Sequence, residues 1–177
     1  MLRTVLACLL LATPAFAQED PGGTLNPDEM SLDRVIDNIR NGQTSMMDCA
    51  SGYGMTKSGD HDPARETFQA CADAGYTASM AWMSYMDQNG YGGEFDPDAS
   101  AEWNRRAAEA GDPLGMFNHG VDLMRGFGTP QDEAAGRAMV DRAADAGIEF
   151  AQRLRAADYD LDVVTPDADN WRYAPVF

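Results

Sequence analysis

Histidine is scarce in this chain, with only His61 and His119. A metal centre needs several convergent ligands, and Asp60-His61-Asp62 reads as a local capping turn before a helix rather than as part of one. No Lys/Arg cluster is present, and 29 acidic side chains stand against 13 basic ones. Nucleic acid and anionic membrane surfaces would repel such a chain, so neither is expected as a partner. No convincing strand precedes a glycine-rich loop, which removes a phosphate cradle. Ser84 and Ser100 have no histidine and carboxylate that the sequence could place beside them, so a hydrolase triad is unsupported. Asp158, Asp160 and Asp162 have the spacing of a calcium-loop start, but Val163 stands where that loop needs glycine and Asp169 where it needs glutamate. No cofactor or metal is expected, and the chain reads as a non-enzyme.

Long apolar runs are also missing beyond the first residues. Arg3, the apolar stretch Val5 to Ala12 and Ala15-Phe16-Ala17 have the layout of an export signal cleaved after Ala17. That stretch is far short of the roughly 20 apolar residues that cross a bilayer. Residues 1–17 are therefore read as a signal peptide, with a periplasmic or secreted product and no membrane insertion after cleavage. Removing them also removes Cys8 and leaves two cysteines, Cys49 and Cys71. In an oxidising compartment an even pair is expected to form one disulfide. Closing a loop of 22 residues stabilises the fold by about 3 kcal/mol on the chain-entropy model. Neither cysteine has the His or Cys-x-x-Cys neighbour that a reactive thiol would want.

The chain does hold repeats. Cys71-Ala72-Asp73-Ala74-Gly75, Ala107-Ala108-Glu109-Ala110-Gly111 and Ala143-Ala144-Asp145-Ala146-Gly147 place their glycines 36 residues apart in both intervals. Gly90-Tyr91-Gly92 answers Gly126-Phe127-Gly128, Asp96 answers Asp132, Ala99 answers Ala135, and Trp103 answers Met139. A degenerate earlier copy holds Gly54 and Asp60 in register. Each unit reads as two short helices joined by a glycine turn. In the middle unit Asp112 and Pro113 start a helix carrying Met116, Phe117, Val121 and Leu123 to Gly126. A second helix starts near Asp132, turns Ala135, Ala138, Met139, Ala143 and Ala144 inward, and stops at Gly147. Small residues, Gly115 and Gly120 among them, allow close helix approach, and stacking is required because neither helix buries its apolar face alone.

The segment from Ala107 to Ala144 resembles a SEL-one-like repeat, a near relative of the tetratricopeptide repeat. Gly126-Phe127-Gly128-Thr129-Pro130-Gln131-Asp132 and the Ala-Ala-x-x-Gly endings carry the likeness. Unit two departs from it at Asp87, where an apolar or aromatic residue is usual, and the last copy breaks after Ala156-Ala157. The resemblance implies an all-α fold, a right-handed α/α superhelical solenoid of about three helix-turn-helix repeats over residues 45–157. First helices would line a concave groove used as an adaptor for other proteins. It also implies that the residue seven after each repeat glycine points into that groove, which selects Trp82 and Asn118, with Met86 and Arg125 nearby. Some exported relatives carry disulfides between paired helices, which suits Cys49 in a first helix and Cys71 in a second.

Around the repeats, residues 18–28 read as a flexible lead and residues 29–44 as a capping helix with Val35, Ile36 and Ile39 on one face. Residues 158–177 form an acidic then aromatic tail with Trp171, Tyr173 and Phe177, either a lid over the last helix or a docking peptide. The expected function is a monomeric adaptor for a protein or peptide, regulating an envelope process. The alternative is a cell-wall-related enzyme or a binder of penicillin-type or peptidoglycan ligands.

Overall fold

A computed structural model describes residues 31–164. The expected signal peptide, the lead and the aromatic end of the tail lie outside the described residues. Within them run eight helices and no strand: α1 (Leu32–Arg40), α2 (Met46–Ser58), α3 (His61–Asp73), α4 (Thr77–Asn89), α5 (Pro97–Glu109), α6 (Pro113–Arg125), α7 (Glu133–Asp145) and α8 (Glu149–Ala156). A 3-10 turn follows at Leu161–Val164. From α2 onward each helix packs on the next along the chain, while α1 covers α2 and α3. The protein is an all-α helical repeat solenoid whose units are α2/α3, α4/α5 and α6/α7.

Five of the eight helix starts have a side-chain cap. The carboxylates of Asp96, Asp112 and Asp132 accept the backbone N–H three residues on, at 2.9, 2.8 and 3.0 Å. Ser31 and Ser45 do the same for α1 and α2. The Asp112 cap also accepts the Thr77 hydroxyl at 2.7 Å, tying the starts of α4 and α6 together. Asp60 departs from the pattern, because it precedes α3 without capping it and its carboxylate instead accepts the Ser58 hydroxyl.

Turn glycines also make the joints between units. At Gly92 (φ +63°) an added Cβ would lie 2.7 Å from the His61 carbonyl oxygen, and at Gly128 (φ +61°) it would overlap that of Pro97. The turn after each first helix therefore rests on the start of the preceding unit's second helix, in a backbone conformation that a side chain would strain.

The core falls into two clusters. One gathers Val35, Ile39, Met55, Phe68, Met80, Met83, Met86 and Trp103 around the Cys49–Cys71 disulfide, whose Cα atoms are 5.8 Å apart. The other holds Met116, Val121, Met124, Val140, Ala143, Ala144, Ala151 and Leu154. In α7 the inward face is Gly136, Val140, Ala143 and Ala144, whereas Ala138, expected inward, is exposed. The inward stripe follows positions 136, 140, 143 and 144, and Ala138 lies off that helical face.

Candidate functional site

The first helices of consecutive units wall two adjoining cavities. The first, of 390 Å³, lies between α2 and α4 over α3. Its lining is almost wholly apolar: Met46, Ala50, Tyr53, Phe68, Tyr76, Trp82 and the disulfide side of Cys49. Trp82 organises it, stacked on Phe68 with ring centroids 5.3 Å apart, tilted against Tyr53 at 5.5 Å and edge-on to Tyr85 at 5.6 Å. Such offset and edge contacts hold the rings rigid.

The second cavity, 280 Å³, lies between α4 and α6 over α5. Its lining is polar. The buried Asn104 donates to Asp122 at 2.8 Å, and Asn118 reaches the Asn104 carbonyl at 3.5 Å. Ser84 and Ser100 share a buried hydrogen bond of 2.9 Å. Burial pushes the Asp122 carboxyl up to about 6, against the opposing effects of the Asn104 hydrogen bond and the Arg125 charge. Gln88, Tyr85, Phe117, Arg125 and Val164 complete the rim.

Three of the four residues selected from sequence line these cavities: the partly exposed Trp82 lines the first, and the partly exposed Asn118 with the exposed Arg125 the second. Met86, expected nearby, is instead fully buried in the N-terminal core cluster with Met55, Phe68, Met83 and Trp103. Sequence reasoning missed Tyr53, Tyr85, Gln88 and Val164. A signal for part of this face exists, since Ala81 and Phe117, Trp82 and Asn118, and Tyr85 and Val121 stand six, seven and ten residues after their glycines and so share one helical face. Asp87, the departure in unit two, is buried and paired with Arg65 of α3, which also donates to the Tyr91 carbonyl at 3.4 Å.

No protein-family model and no curated protein sequence matches the chain. Solved structures do. A Sel1 repeat protein from Oxalobacter formigenes is 23% identical with a TM-score of 0.58, over 66% of this chain and 46% of that one. The protective antigen c5321 of uropathogenic Escherichia coli, which displays an SLR fold, is 21% identical with a TM-score of 0.53, over 79% and 34%. Helicobacter pylori cysteine rich protein B is 17% identical with a TM-score of 0.56, over 75% and 98%. The chain thus matches less than half the length of the first two. Its fold is the Sel1-like repeat solenoid, as the resemblance carried by Gly126–Asp132 and the Ala-Ala-x-x-Gly endings had implied.

Proposed function

We propose that this chain is an exported, monomeric, non-catalytic solenoid that holds a protein or peptide segment in the groove lined by α2, α4 and α6. The observation that carries the reading is the pairing of two unlike cavities on one continuous face. An extended polypeptide offers both apolar side chains, which suit the Tyr53, Phe68 and Trp82 cavity, and backbone amides, which suit Asn104, Asn118 and Gln88. Trp82 is the anchor, because a ring fixed by three aromatic neighbours adds contact area with little loss of entropy. The polar groups of the second cavity engage one another: Ser84 with Ser100, and Asp122 with Asn104. That arrangement favours binding over nucleophilic or acid–base chemistry.

Export is supported by the disulfide and by the signal-like residues 1–17, and among the described residues no helix is long and apolar enough to cross a membrane. The test is photo-crosslinking in the native envelope with the probe at Trp82 and at Asn118. A recurrent partner captured from both positions is the expected result. Normal export and folding with capture from neither would overturn the groove reading. A melting temperature raised by a penicillin-type ligand would instead favour a cell-wall role.

A further inference from the structure

Two large apolar side chains stand in water at the start of α2. Met46 and Met47 are 77% and 76% exposed, whereas Met55, Met80, Met83, Met86, Met116 and Met124 are buried and Met139 is half-buried. The cause is local. Ser45 caps α2, so both residues fall in its first turn. Helical side chains lean toward the N-terminus over the preceding turn, and here there is no such turn for them to cover. The two differ in what they face. Met46 shares a stripe with Ala50 and Tyr53, at i+4 and i+7, and lines the apolar cavity with them and with Trp82. Met47 is about 100° further round the helix and takes no part in that lining.

Met46 is the readily oxidised group of this wall. The rest of the lining is aromatic rings, alanine, Ser79 and Cys49. Thiols would react first, but Cys49 and Cys71 are joined in the disulfide, which leaves no free thiol among the described residues. The Met46 sulfur lone pair attacks an electrophilic oxidant such as hypochlorous acid. The S–O bond forms as the O–Cl bond breaks, chloride leaves, the hydroxyl proton passes to solvent, and the sulfur gives up two electrons. The product sulfoxide is polar and carries an acceptor oxygen where the thioether was apolar. An acceptor added to a wall of Ala50, Phe68 and Trp82 draws water to it, and that water opposes an apolar side chain seated there. Methionine sulfoxide reductases reverse the step, releasing the oxygen as water while two thiols become a disulfide.

We propose that Met46 is a reversible oxidation site, at which a two-electron oxidant makes the apolar cavity polar and weakens its hold on an apolar side chain of the bound segment. The loss of hold rests on the groove being a binding surface. The oxidation and its effect on the cavity do not, and both are read on the purified protein alone.

Hypochlorous acid is added in substoichiometric steps to the disulfide-bonded chain, labelled with 13C at the methionine methyls and 15N at tryptophan, and followed by NMR. The methyl signals of Met46 and Met47 are expected to reach the sulfoxide position before those of the six buried methionines. The indole signal of Trp82, assigned from Trp82→Phe, is expected to shift in step with Met46 and to return after treatment with a sulfoxide reductase. Met46→Leu keeps the cavity apolar and nearly the same size. In it the Trp82 signal should hold still through the same titration while Met47 converts, and in Met47→Leu it should shift as in the unaltered chain. Buried methionines that convert as early as Met46 would overturn the proposal, as would a Trp82 signal that moves equally in Met46→Leu or not at all. A segment captured in the groove should bind the oxidised chain several-fold more weakly and treated Met46→Leu as before; equal binding to the oxidised and untreated chains would remove the loss of hold.

Discussion

The N-terminal and C-terminal halves of this solenoid share one repeat and are held by different physics. In the first, bulky side chains do the packing: methionines, Phe68, Trp82 and Trp103 fill the space between helices, and a disulfide joins α2 to α3. The second is held by proximity. Added Cβ atoms at Gly120 and Gly136 would lie 2.9 and 2.5 Å from each other's carbonyl oxygens, so α6 and α7 nearly touch backbones. The groove follows the same division, with an aromatic cavity at the bulky end and an amide-lined one beyond it. A repeat pattern therefore constrains where helices lie and leaves open how their interface is filled.

The sharpest break of this contrast is Arg65→Ala. It strands the buried Asp87 carboxylate between α3 and α4, a loss of about 3–4 kcal/mol, because one partner of a buried pair remains without compensation. Chemical denaturation measures it. Next, replacing Cys49 and Cys71 together with serine should destabilise by about 3 kcal/mol. Hydrogen exchange is expected to rise in α1–α4 while α7 and α8 stay protected, since each unit contacts only its neighbours. Uniform exchange along the chain would show that the halves unfold as one. Gly136→Ala probes the other half: its methyl would press on the Gly120 carbonyl oxygen, with a loss of about 2 kcal/mol and faster exchange confined to α6–α8.

The smallest effect runs the other way. The folded chain keeps the Asp122 proton up to about 6, whereas the ordinary value is 3.8, so between these values the folded state binds more protons. This contribution to stability is present below 3.8 and is lost as pH rises through about 6. Asp122→Asn stays neutral throughout and retains an acceptor for Asn104. It should gain about 1–2 kcal/mol near pH 7.5 and nothing near pH 3, as read from unfolding curves at both.

Much of this architecture was legible in the chain because it is local. Asp96, Asp112 and Asp132 announce helix starts, and Gly75, Gly111 and Gly147, with φ of 94°, 87° and 96°, announce stops. Trp82 and Asn118 came from the family resemblance, which selects the residue seven after each repeat glycine. The misplaced residues depend instead on rotation and stacking. Ala138 faces outward because the apolar stripe of α7 centres on Gly136 and Val140, and Met86 is swallowed because it lies on the buried face of α4 with Met80 and Met83. The Arg65–Asp87 pair and the Asn104–Asp122 bond each join different helices, and spacing alone does not reveal which side chains will meet.

The joints at Gly92 and Gly128 bear on how such an array changes length. Each glycine rests first on a main-chain carbonyl, that of His61 or Pro97, and then on the Cβ of Arg65 or Ala101, an atom that every residue but glycine carries. A genetic deletion or duplication of one 36-residue period, wherever its endpoints fall, brings another glycine turn to the same carbonyl. The seam it leaves needs no compensating substitution at that contact, so copies can be gained or lost while their sequences drift apart.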